Sequence, residues 1–523
     1  MIFHQMRGLK KQSTTGRTRH RRRLGMLEGL EGRVLLTGSP TIYTVDPTSD
    51  TGAGSNNKGD LLYCITQANA DPNTAGSEIT FDPTVFNAAT PQTIKLSKTL
   101  DLTETAGPEM IDGPGAGVVT ISGNNAVEVF DDPQANVTAS LSGLTISGGM
   151  TNASGGGINN DGTVTVTNCT IVNNSAAFGA GIYNDGILMV TGSMVESNSA
   201  SQFAGGIDNA DGGTLTLTST TVAKNTAVDS GGGILNGGAS TVTLTDGVLS
   251  DNSAVSGGGI DNNSSNLTVT GSTLSGNKST GTAANDGGGG VYNSGGTASI
   301  TGSTLSGNSA VAGGGGIYEG GGALTIAGST LSDNSATGSS APGGGIDENS
   351  GTLTITNSTV AGNSAQGFGA GIQENTGALT AVNCTIAYNY EDSITEIAFG
   401  GGMNVTAGPV TLDNTIIALN TDGPSLGGPA DNLFSEGNPV SSASADNLIG
   451  TGGGYILTNG SNGNQVGVAN PGLGALASNG GPTETIALLA GSPAIDAGSN
   501  SLAVDPQGKA LTTDQRGLGF PRI

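Results

Sequence analysis

Between residues 158 and 420 one pattern recurs ten times. A glycine-rich run ends in an aliphatic residue, at Ile158, Ile182, Ile207, Ile234, Ile260, Val291, Ile317, Ile346, Ile372 and Met403. A second aliphatic residue follows after 13 to 15 residues, and three places beyond it stands Asn, as in Ile171/Asn174, Leu331/Asn334 and Ile417/Asn420. Self-similarity at a period of 24 to 31 residues means a solenoid. Between the two marks lies an i, i+2 apolar pair such as Val242/Leu244 or Leu267/Val269, flanked by Thr or Ser. That alternation is strand patterning, with no helical stripe. Each coil is expected to supply about four inward side chains from about three short strands. A left-handed hexapeptide solenoid would need shorter and stricter coils, so the expectation is a right-handed parallel β-helix. Ten coils would span on the order of 48 Å. Length varies at one turn, with 14 residues from Asn277 to Val291 and from Asn389 to Met403 and 12 from Asn334 to Ile346. Insertions collect where they leave the stacked strands intact.

The composition suits such a fold and few others. The chain has 92 Gly, 11% charged and 3% aromatic residues and no Trp. A conventional globule of this length would need a bulkier core, and a disordered chain would not hold aliphatic residues in phase ten times. Charge divides sharply: residues 1–33 hold nine of the 17 Lys and Arg and both His against two acids, giving +7, and the rest carries −32. So acidic a body repels phosphate backbones, which excludes nucleic acid as a partner. The basic cluster from Arg17 to Arg23 reads as a targeting or solvated terminal segment. No apolar stretch of signal-peptide type follows it, and none reaches the length of a membrane span. Cys64, Cys169 and Cys384 do not form a disulfide framework. Cys169 and Cys384 share one coil position eight coils apart, so they read as small buried residues.

Both ends carry motifs of their own. Leu30-Glu31-Gly32-Arg33-Val34-Leu35-Leu36 resembles the export-associated motif at the N-terminus of large planctomycete proteins, with Gly32 where that family often has Pro or Asp. Residues 59–82 read as a helix capped by Asp60, with Leu61, Leu62, Ile65 and Ala68 on one face, then a strand. The stretch from 59 to 105 resembles the CSLREAI N-terminal domain of bacterial surface β-helix proteins. After residue 421 come Asn447-Leu448-Ile449-Gly450, Asn479-Gly480-Gly481-Pro482-Thr483, Gly491-Ser492-Pro493-Ala494-Ile495-Asp496-Ala497-Gly498 and Thr513-Asp514-Gln515-Arg516-Gly517. That ordered series resembles the choice-of-anchor Q domain, and the coil pattern resembles the repeats of polymorphic outer-membrane adhesins. These resemblances imply a pectin-lyase-like solenoid of about 10–13 coils with a short N-terminal capping helix. The implied domains are a basic export segment (1–38), a cap with the first strands (39–115), β-helix repeats (116–420) and a C-terminal β-helix extension (421–523). They also imply an extracellular or cell-surface monomer that meets polysaccharide or matrix components.

Chemistry is sparse. Residues 34–515 contain no Arg and no His, and the repeats offer only Lys224 and Lys278 as bases, which read as solvated turn residues. A lyase is therefore disfavoured. Asp208 and Asp261 share a coil position with Leu235 between them, about 9.6 Å apart, near the upper limit for an inverting carboxylate pair. Turn-position Asp is the simpler reading, and the expectation is a structural or adhesive protein without catalytic activity. A carbohydrate-active hydrolase or lyase is the alternative. Two residues beyond the first aliphatic, six coils carry Asn160, Asn184, Asn209, Asn236, Asn262 and Asn293, and the next three carry Glu319, Glu348 and Glu374. Stacking would set those three carboxylates in a column about 4.8 Å apart. Such a column either raises its own pKa values or recruits a cation, and oxygen ligands on an acidic exported protein favour Ca²⁺.

Overall fold

The structure is a computed structural model and describes residues 38–392, 400–422, 431–435, 437, 440–452 and 456–522. The chain divides into Met1–Thr37 and Gly38–Ile523, and the second unit is described here. The basic cluster and the Leu30–Leu36 motif lie outside the described residues. Gly38–Ile523 is an all-β parallel solenoid of about 12 turns, with a single short α-helix among the described residues.

Most central coils have four strands, one more than the repeat suggests, and in two the first pair runs together as Val291–Thr301 and Ile317–Ala327. The fourth coil shows them: a leading strand Ile234–Asn236, a long strand Thr241–Thr245, a third strand Val248–Ser250 and a two-residue strand Ser253–Ala254. The fourth strand escapes sequence reading because two residues carry no alternation. Every strand pairs in parallel with its counterpart in the next coil. Ile234, Ile260, Val291 and Ile317 stand in one register and Leu249, Leu274, Leu305 and Leu331 in another, all fully buried. Both lines were expected from the repeat.

The Asn that closes each repeat builds a second interior line. Asn277 Nδ2 donates to Asn308 Oδ1 at 3.0 Å, and Asn308 Nδ2 to Asn334 Oδ1 at 2.9 Å. The other Nδ2 hydrogen of Asn308 goes to Leu274 O at 2.9 Å, while Asn308 Oδ1 also accepts the backbone N–H of Asn277 at 3.0 Å. Both donors and both acceptor sites of the amide are thereby used. The ladder runs unbroken from Asn174 to Asn432. The residue that adopts left-handed geometry is the one before the ladder Asn, such as Lys224, Asp251 or Asp333 at φ near +55°. The turn is thus made next to the amide and leaves it free to stack. A Cβ at Gly233 would fall 2.6 Å from Gly259 O and 3.1 Å from Asn252 Nδ2, so the corner beside the ladder requires glycine there.

The N-terminal end is closed by the helix Leu61–Ala68, whose cap Asp60 accepts Tyr63 N at 2.9 Å. Leu61, Cys64, Ile65 and Ala68 are buried against the first coils, and Leu62 is only half-buried. At the other end solenoid pairing stops at Gln465–Val466. Residues 473–488 form an antiparallel hairpin that packs on Ala361, Ala387, Ala418 and Leu448. The chain then doubles back outside the third strands: Gln515 Nε2 donates to Ser329 O at 3.1 Å, and Asn357 Nδ2 to Thr513 O at 3.1 Å. The expected extension over 421–523 therefore continues the coils only to Val466. Beyond that point the series Gly491–Gly498 and Thr513–Gly517 serves as an external strap, because its short glycine-rich runs lack the inward alternation a coil needs.

Asn308→Ala orphans amide groups on both neighbours and should cost about 1–3 kcal/mol, read as a lower urea midpoint with native circular dichroism retained. Unchanged stability would show that the ladder does not hold the coils together.

Candidate functional site

In each leading strand the first and third side chains face inward and the second outward. The outward series in register is Tyr183, Asp208, Leu235, Asp261, Tyr292, Tyr318 and Asp347. Although outward, Asp208, Asp261, Tyr318 and Asp347 are at most 4% exposed. The preceding glycine corner covers them: a Cβ at Gly257, itself at φ +58°, would lie 2.7 Å from Asp261 Cβ. Tyr292 and Tyr318 stack face to face, with centroids 5.2 Å apart and planes 1° from parallel.

An open groove of about 310 Å³ lies at one end of this series, lined in part by Phe178, Tyr183, Asp208, Asp211 and Leu235. Phe178 stacks on Phe203 at 5.9 Å. Burial, with a contribution from Asp211, pushes the Asp208 carboxyl up to about 7. Burial and then the charge of Asp208 push the Tyr183 hydroxyl up to about 12. Asp208 and Asp261 do occupy one outward line with Leu235 between them. Burial drives Asp261 up to about 7 as well, against a hydrogen bond from Ser230. An acid–base pair needs environments that drive its two pKa values apart, and these two carboxyls are driven to the same place. Lys224 lies 3.9 Å from Glu196 at the surface and is no base for this groove.

The inward third position carries the Asn-to-Glu series. Asn160 Nδ2 donates to Asn184 Oδ1, and the same bond repeats through Asn209, Asn236, Asn262 and Asn293 at 2.5–2.9 Å. Asn293 Nδ2 donates to Glu319 Oε2 at 2.6 Å, so the amide ladder ends on a carboxyl. Glu319, Glu348 and Glu374 follow in register, each wholly buried. Glu319 Oε1 also accepts Gly321 N at 3.0 Å, and Glu374 accepts Gly408 N at 3.1 Å. Neither oxygen of Glu348 has a hydrogen bond of normal geometry. Burial pushes Glu319 up to about 8 against its hydrogen bonds, and burial plus the charge of Glu374 pushes Glu348 up to about 7. Among the described residues no three His, Cys, Asp or Glu side chains converge as a metal ligand set. With two of the three carboxyls already held by amides, protons rather than Ca²⁺ are the better match for the column's charge.

The other end of this line mirrors it. Asp132 precedes Asn160 in register, with Oδ2 unpartnered and burial driving it up to about 7. Near it no carboxyl oxygen of the buried Glu104 or Glu109 has a hydrogen bond of normal geometry, and burial raises both. Neither the N-terminal acids nor the Tyr292–Tyr318 stack was singled out from sequence. Aligning the second residue of every leading strand would have found the tyrosines. The acids sit in irregular first coils without a repeat to align. Cys169 and Cys384 are buried free thiols pushed up to about 11 and about 12, as inert core residues are.

Comparison with family models, with curated proteins and with solved structures finds no match to the chain.

The acid column makes stability depend on pH. Glu319 and Glu348 titrate above their ordinary value of 4.5. Their contribution is therefore complete below about pH 4.5 and lost as pH rises through 7 to 8. The melting temperature should be higher at pH 5 than at pH 9, and Glu348→Gln should narrow that difference. A wild type equally stable at both pH values would contradict the buried column. Millimolar calcium separates the two ways of neutralising it. Protons alone leave the melting temperature insensitive to the ion, while a bound cation raises it in the wild type and not in Glu348→Gln.

Proposed function

We propose that this chain is an exported, non-catalytic β-helix of the cell surface or matrix that binds extracellular polysaccharide at the Tyr183–Asp208 groove. The observation that carries the proposal is the groove itself, where aromatic rings stand beside a carboxyl that burial raises to about 7. A sugar offers apolar ring faces and hydroxyls, which such a surface matches by contact and hydrogen bonding. Export and surface location rest on the resemblance of Leu30–Leu36 to a planctomycete export motif. They rest also on the resemblance of residues 59–105 and of the motifs after 421 to CSLREAI and choice-of-anchor Q regions.

One observation favours a second reading, an inverting polysaccharide hydrolase: Asp208 and Asp261 share an outward line two coils apart. Against it stand their burial and their matched pKa values.

A panel of polysaccharides offered to the purified protein tests both readings. Retention should occur without new reducing ends or unsaturated products, and Tyr183→Ala should weaken it about tenfold, the loss of one aromatic contact worth ~1.4 kcal/mol. Products that disappear in Asp208→Asn and Asp261→Asn would replace binding by hydrolysis. Retention unaffected by Tyr183→Ala would remove the groove as the site.

A further inference from the structure

The long strand of each coil points three side chains outward, in register through ten coils from Thr138–Ser142 to Ala378–Val382, and all but Thr356 and Val382 reach solvent. Thr or Ser fills the middle column in nine of the ten, from Ser140 to Thr380, with Met189 the exception. In six of the ten coils all three outward positions are Thr or Ser, as in Thr214/Thr216/Thr218 and Thr241/Thr243/Thr245. No outward position of these ten strands is charged or aromatic, on a chain with 42 acidic residues.

Strand propensity accounts for threonine in any one strand, but it spans only about 1 kcal/mol and does not exclude charge from a whole solvated face. Among the described residues the hydroxyls of Thr216, Thr243 and Thr268 have no hydrogen bond, whereas those of Ser142, Thr297 and Thr352 at the margins of the face do. Their β-branched side chains are restricted at χ1, so hydroxyl and methyl repeat in a fixed orientation. The result is a two-dimensional array with spacings of about 4.8 Å between coils and about 6.7 Å along each strand. The hydrogen bonds of the C-terminal strap fall on Ser329, Thr330, Asn357 and Thr359, and the face is closed only at its C-terminal end, where Thr356 and Val382 are buried.

Charge and repeat together select the occupant. A charged partner would find no counter-charge here, and a crystalline glycan would find no ring to stack on. A neutral lattice of hydrogen-bond donors and acceptors with spacings of the same order is ice. We propose that the threonine face of the long strands is an ice-binding surface that orders water on its hydroxyl array and holds it against a growing crystal face. This surface is separate from the Tyr183–Asp208 groove, so either assignment can fail alone.

The test grows ice slowly from a dilute solution of the full chain and compares protein in the ice and liquid fractions, with crystal shape recorded alongside. Wild type should enter the ice and facet the crystals. Thr216→Lys and Thr243→Lys should each fall to the level of an inert protein. Thr226→Lys, the same change on an exposed threonine of the two-residue strands, should behave as wild type. Thermal melts establish that each variant is folded, and having two variants guards against one that is not. Exclusion of the wild type from ice would overturn the proposal. So would equal losses in all three variants, or retention on crystalline cellulose with no enrichment in ice.

Discussion

The whole solenoid depends on every buried amide finding its partner one coil away. Asn308 shows the constraint in full: four hydrogen-bonding sites, four bonds, all of them to the coils before and after it. An interior that places amides beside Leu305 and Ile317 is stabilised by pairing them in the ladder, since each orphaned group costs on the order of 1–3 kcal/mol. Repetition supplies the partners. Once one coil sets the amide's orientation, the next must continue it, and so spacing within each coil is strict while the inserted turns vary.

The second ladder shows what happens where repetition ends. Its amides all donate in one direction, from Asn160 towards Asn293, and the last bond lands on Glu319. Beyond that point carboxyls take over, and an acid in a dry column keeps its proton where an amide needs none. Asp132 occupies the corresponding place at the start. The formal charge of −25 accordingly overstates what the folded protein carries near neutral pH, because several acids face inward or lie beneath the glycine corners. Acid conditions suit this interior, and alkaline conditions set buried charges against it.

One backbone thereby offers three different exteriors, each decided by single positions repeated along the coils. The leading strand shows tyrosines and covered aspartates, with an open groove at Tyr183. The long strand shows an uncharged sheet of hydroxyls. The third strand is partly hidden where Leu473, Ile486 and Gln515 pack over its alanines, serines and threonines. A repeating fold turns a one-residue choice into a long surface, so the first two exteriors differ in chemistry along the stack.

Sequence alone determined the coil. The phase of Ile234, Ile260, Val291 and Ile317, the alternating pairs such as Leu267/Val269 and the closing Asn are local signals, and local alternation suffices to say which side chains share a line. It also placed the helix at Asp60 and set Glu319, Glu348 and Glu374 in one column. Only the tertiary structure decided which way that column faced. A three-residue strand reads the same with its third side chain inside or out, and the choice is made by whether neighbouring coils can satisfy it. The covering of Asp208 and Asp261 was likewise invisible, because it depends on how the glycine corner just before each of them turns, as at Gly257 with φ +58°, and the side-chain pattern does not report a backbone turn. The path of residues 468–522 back along the coils rests on contacts between positions such as Ser329 and Gln515, 186 residues apart, and no periodicity reports those.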